Sequence, residues 1–90
     1  MSVRTRLQIV NIKGLHARAS AKLVEVVERH DARATVSKDG LEASGDSIMG
    51  LLMLAASKGT FIDVETVGVQ AEELSRAITE LVANKFGEGD

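Results

Sequence analysis

The sequence predicts an α+β fold, an open-faced sandwich in which a four-stranded antiparallel sheet is covered on one face by three helices in the order βαββαβα. Three observations lead there. Residues 3–10 and 60–67 alternate apolar and polar side chains as half-buried strands do. Asp39-Gly40 separates two more alternating runs, and residues 17–30 and 70–85 carry apolar groups at helical spacing.

In the first strand Val3, Thr5, Leu7 and Ile9 share one face while Arg4, Arg6 and Gln8 share the other. The first helix then has Leu23, Val24 and Val27 on its apolar stripe, leaving Arg18, Lys22, Glu25, Glu28 and Arg29 for solvent. Ala34 and Val36 alternate with Arg33 and Thr35, and beyond Asp39-Gly40 Leu41 and Ala43 alternate with Glu42. Asp-Gly suits a type I′ turn, whose two central residues need positive φ, so these strands are expected to be antiparallel neighbours. A short apolar helix is expected within residues 47–57, and in the strand that follows Ile62 and Val64 face inward while Asp63 and Glu65 face outward. The last helix, residues 70–85, has Leu74, Ile78, Leu81 and Val82 on its stripe. Glu72 and Glu73 complement its start, Lys85 its last turn, and Gly87 lies just beyond. Helices above one sheet face and water below the other satisfy all these alternations. The GEGD tail is expected to fray.

Ninety residues, 44% of them apolar, suit a single domain spanning 1–90. No cysteine is present, which removes disulfides and thiolate nucleophiles and makes the reducing cytoplasm the natural setting. The N-terminus MSVRTRLQIV lacks a signal-peptide core and no run of 18 apolar residues occurs, so neither secretion nor membrane spanning is expected. With 11 basic and 13 acidic residues interspersed, the formal net charge of −2 offers nucleic acid no general attraction. Phe61 and Phe86 are the only aromatic residues, too few for a base-stacking platform.

The stretch from Gly14 to Ser20, GLHARAS, places His16 at the entrance of the first helix. Backbone amides there have no intrahelical partner, and with the positive end of the helix dipole they favour a phosphate by roughly 0.3 to 1 kcal/mol at exposed sites, up to ~2 when partly buried. The same field disfavours the imidazolium, so a neutral ring able to attack phosphorus is expected. Arg18 adds a planar, permanently charged fork that pairs with phosphate oxygens, and Lys13 and Lys22 add weaker positive charge. On residue types alone, a solvated loop histidine beside an ordinary surface arginine stays an open alternative. A metal site is not expected, because His16 and His30 stand about 20 Å apart at ~1.5 Å rise per residue along one helix. Ser20 has no third orienting group for a hydrolase triad, and His30 suits the helix C-terminus.

Within residues 46–54, DSIMGLLML, every residue from Ile48 to Leu54 except Gly50 is apolar. Such a helix is either buried all round or exposes part of its surface, and both readings stand. In the second, Leu51 and Leu54 enter the core while Ile48, Met49 and Leu52 form a docking patch, a role that suits flexible methionine. Ser47 or Asp46 is the expected N-cap.

GLHARAS and DSIMGLLML, with the element order, resemble the HPr family of phosphocarrier proteins across essentially the whole chain. The resemblance implies that phosphorylated enzyme I phosphorylates His16 at Nδ1, that Arg18 neutralises the phosphate, and that an enzyme II A-type component receives it. It implies no cofactor, a monomer, and docking through Leu15, Ile48, Met49 and Leu52. It also implies that Ser47 matches the regulatory serine phosphorylated by HPr kinase/phosphorylase. Ala19 stands where the family motif usually has proline, giving a less rigid helix entrance with one additional donor. A nitrogen-related phosphocarrier is the alternative within the family. From a different class, a ferredoxin-like small-ligand regulatory module fits the element order but leaves GLHARAS unexplained.

Overall fold

The computed structural model describes residues 2–88. Strand β1 (Ser2–Gln8) leads to helix α1 (Ala17–Glu28), then β2 (Arg33–Lys38), β3 (Leu41–Ser44), α2 (Ile48–Met53), β4 (Phe61–Val67), α3 (Ala71–Ala83) and a terminal 3-10 turn at Lys85–Gly87. The four strands lie in the order β1-β4-β2-β3, every neighbouring pair antiparallel. Three helices cover one face, giving the open-faced sandwich expected from the alternations. α3 packs on β1 and β4, and α1 bridges α3 and α2, which in turn rests on β3.

Strand pleating sorts the side chains. Leu7, Val36, Ile62 and Val64 point under the helices and are buried, joined there by Leu23, Leu51, Leu74 and Ile78. On the open face Arg4 and Arg6 stand directly opposite Glu65 and Asp63, and pair with them at 3.3 and 3.1 Å. These exposed pairs contribute little stability, but they keep that face polar. At the hairpin Asp39 and Gly40 have φ of 50° and 84°, the conformation a type I′ turn requires.

Several boundaries differ from the sequence reading. β1 ends at Gln8, although Ile9 still exchanges backbone bonds with Gly59 and Thr60 and is fully buried. α1 stops at Glu28, and His30 lies just beyond it with Nδ1 2.7 Å from Val26 O. Leu41 alternates with Ala43 but stands opposite Lys38 at the turn end of the hairpin, and it is exposed. α3 ends at Ala83 because Lys85 and Phe86 both turn to positive φ. That turn drives Phe86 completely into the core, and burying such a ring stabilises by about 1.5–3 kcal/mol.

The tail departs most from expectation. Pinned by Phe86, it continues through Gly87 to Glu88, which folds against the start of α1 instead of fraying. Gly89 and Asp90 lie outside the described residues.

Candidate functional site

The site begins with a backbone constraint. Leu15 donates its amide to Ala56 O at 2.8 Å, which draws the loop before α1 onto the segment after α2. Gly14 then lies so close that a Cβ would come within 2.4 Å of Ala56 O, and its φ is +65°. Only glycine meets both demands. Leu15 itself is 3% exposed and lies in the core. It is therefore corrected from docking residue to anchor: its side chain is sealed beneath the loop whose entry its amide fixes.

His16 follows as the N-cap of α1, with an extended backbone and no side-chain capping bond. Its carbonyl accepts the first helical bond from Ser20 at 2.8 Å, so the amides of residues 17–19 precede the intrahelical ladder. Ser20 is buried, its hydroxyl donating to Leu15 O, and so closes the loop from below. Ala19 is also fully buried, so the helix entrance is held by packing at the position of the missing proline.

The His16 ring is half-buried, less open than a free loop residue, because Nε2 meets the Glu88 carboxylate. Glu88 is in turn held by Asn11, whose Nδ2 donates to Glu88 Oε1 at 3.0 Å and to Gly14 O at 2.8 Å. Around the ring lies a depression of about 410 Å³ lined by Ile12, Lys13, Arg18, Lys22, Gly87 and Glu88. Arg18 is exposed and makes no hydrogen bond or ion pair among the described residues, which leaves its guanidinium available to an anion. Lys22 has a structural task as well, donating to Phe86 O at 2.6 Å and tying the tail to α1. The structure thus brings together a ring nitrogen, a helix start and three cationic side chains. That arrangement suits phosphoryl transfer, which depends on positioning and charge neutralisation more than on covalent help from the protein. No group of three or more metal-ligating side chains occurs among the described residues.

The second motif forms α2. Ser47 is its N-cap, Oγ accepting from Gly50 N at 3.1 Å, whereas Asp46 accepts from Ser44 Oγ at 2.6 Å. Leu51 and Leu54 enter the core. Ile48 is 39% and Met49 70% exposed, and Leu52 is half-buried, which favours the partly exposed reading of this helix. Met53, 74% exposed, was missing from the expected patch. Its spacing of four from Met49 places it on the same helix surface.

Sequence reasoning also missed Asn11 and Glu88. The one signal for Glu88 was Phe86, an aromatic residue just past an amphipathic helix, whose burial would tether whatever follows. Asn11 carried none beyond its place ahead of Gly14.

The family model for the PTS HPr component phosphorylation site matches residues 3–84. The chain belongs to the HPr family. It is 43% identical over 88 residues to phosphocarrier protein HPr of Neisseria meningitidis serogroup A, covering 98% of this chain and 99% of that one. Phosphocarrier protein NPr of Escherichia coli K12 is 39% identical over 89 residues, with the same coverage of 98% and 99%. The crystal structure of HPr-C-His from Thermoanaerobacter tengcongensis superposes with a TM-score of 0.92 at 32% identity, over 98% of this chain and 99% of that one. The protein is accordingly a phosphocarrier of the HPr/NPr type in the phosphotransferase system, and the small-ligand regulatory alternative gives way to that membership.

Because Ser47 is the cap seen at α2, Ser47→Ala should cost up to ~1 kcal/mol. Urea denaturation followed by circular dichroism should show the midpoint fall with the slope unchanged.

Proposed function

We propose that residues 1–90 act as a single, monomeric, cytoplasmic phosphocarrier domain that accepts a phosphoryl group from phosphorylated enzyme I on His16 Nδ1 and donates it to an enzyme II A-type component. The observation that carries this reading is the placement of His16 at the start of α1, in a depression shared with Arg18, Lys13 and Lys22. The incoming phosphoryl oxygens meet the free first-turn amides and the Arg18 fork, while Nδ1 supplies the electron pair. A nitrogen-related carrier would run the same chemistry with a different acceptor, and offering purified acceptors of both branches to the phosphorylated protein separates the two. The exposed Ile48, Met49 and Met53, with half-buried Leu52, form the docking surface. Ser47, beside it, is the regulatory position for HPr kinase/phosphorylase.

Incubation with phosphoenolpyruvate and enzyme I should place an acid-labile phosphate on the protein. His16→Ala should abolish that adduct while the circular dichroism spectrum stays native, and His30→Ala, altered at the far end of α1, should accept phosphate normally. A labelled His16 variant would end the proposal.

Arg18→Ala deletes a charge-assisted hydrogen bond worth roughly 1.5 to 3 kcal/mol, so transfer should slow about tenfold to a hundredfold with little change in stability. Initial rates at saturating and limiting enzyme I measure it; equal rates would leave Arg18 a surface charge.

Phosphate on Ser47 adds about −1.5 to −2 charges at the edge of the docking patch. The helix start tolerates the charge, but a partner closing over the patch must desolvate or repel it. Protein enzymatically phosphorylated on Ser47 should therefore accept phosphate from enzyme I more slowly than unmodified protein across a range of salt concentrations, with Ser47→Asp a weaker mimic. Unchanged rates would reduce Ser47 to a cap.

A further inference from the structure

The tail contact is more than a tether. Glu88 reaches His16 at Nε2, whereas Nδ1 has no hydrogen-bond partner among the described residues. An ionised carboxylate only accepts hydrogen bonds, so a ring facing it through Nε2 must carry its proton there. The two nitrogens of a neutral imidazole are complementary, and a proton fixed on Nε2 leaves the lone pair on Nδ1. Glu88 is itself held from behind. Asn11 is fully buried, and both hydrogens of its amide are used, one on Gly14 O and one on Glu88 Oε1. Its Oδ1 is buried without a hydrogen-bond partner among the described residues. Such a group is costly to bury, and the two bonds the same amide donates, to Gly14 O and Glu88 Oε1, offset that cost. Phe86 in the core and Lys22 on the Phe86 carbonyl fix the backbone from which Glu88 reaches back.

We infer that Glu88 is a positioning residue for phosphoryl transfer, fixing the His16 ring with its proton on Nε2 and its nucleophilic lone pair on Nδ1, and that Asn11 orients Glu88. The inference rests on the phosphocarrier reading for its consequence but not for its geometry. In the transfer step the Nδ1 lone pair forms the new phosphorus–nitrogen bond. The bond from phosphorus to the leaving atom of the phosphorylated donor protein breaks, and its electron pair departs with that atom. The Nε2 proton stays in place, and the positive charge the ring acquires faces the Glu88 carboxylate. Lys13, Arg18 and Lys22, which line the same depression, attend to the phosphoryl oxygens. A carboxylate accepts from Asn11 and His16 through separate oxygens. An amide has only one acceptor atom, so glutamine satisfies one partner and presents an N–H to the other.

The test compares wild type with Glu88→Ala and Glu88→Gln by nitrogen-15 NMR of the His16 ring in the unphosphorylated protein, and by the rate and position of phosphorylation. Wild type should show the neutral ring protonated at Nε2. Both variants should lose that preference, and each should slow phosphoryl acceptance about tenfold in kcat, with KM for the donor nearly unchanged. They should also shift the pH profile of acceptance and divert part of the product to Nε2. Native circular dichroism is expected because Phe86 still anchors the tail, and if the alanine variant unfolds, the near-isosteric glutamine variant decides. A wild-type tautomer preference and pH profile preserved in the glutamine variant would overturn the inference. If wild type accepts no phosphate at all, the phosphocarrier reading fails, yet the tautomer comparison still decides whether Glu88 orients the ring.

Discussion

The hydrogen bond from Leu15 N to Ala56 O sets everything around His16. It joins the loop entering α1 to the segment leaving α2, and so couples two stretches that share no sheet contact. Gly14 is required because the carbonyl presses on its Cα, and Leu15 is buried because its own amide is pulled inward. His16 then has one place to go, the first position outside the helix. A weaker closure here would leave the α1 amides in place but let the ring drift, and phosphoryl transfer tolerates little misplacement of the attacking atom.

The proposed function divides recognition and chemistry between two helices. The start of α1 gathers positive charge and an imidazole, while α2 contributes thioethers and a branched chain to the surface. Packing α2 on α1 keeps the two in fixed relation without demanding that one side chain serve both purposes. On the proposed reading, partners that differ in detail would meet an adaptable methionine surface while the imidazole keeps its place.

The strands and helices were legible because period two and period 3.6 are local properties, and Asp39-Gly40 states its turn type in two residues. The positions of His16 and Arg18 at the start of α1 could be read from the amphipathic pattern that follows them, while their proposed roles came from the family resemblance. What escaped was set by long-range closure. The resemblance implies docking through Leu15, yet the bond to the Ala56 carbonyl goes with its burial, and Leu41 alternates with Ala43 but is exposed. Glu88 lies 72 residues from His16 in the chain and within a stretch whose composition suggests a loose end. Only the burial of Phe86, a tertiary event, reverses that suggestion.

The strand order carries a consequence for how the protein comes to exist. β4, late in the chain, is the strand that pairs with both β1 and β2. Until residues 61–67 have emerged from the ribosome, β1 has no neighbour and the β2–β3 hairpin stands alone, a unit too small to persist in water. Inserting β4 closes long loops on both sides at once, so assembly is governed by distant pairings and proceeds more slowly than in a helical bundle of this size. A nascent chain thus displays its histidine well before that histidine has a loop to sit in.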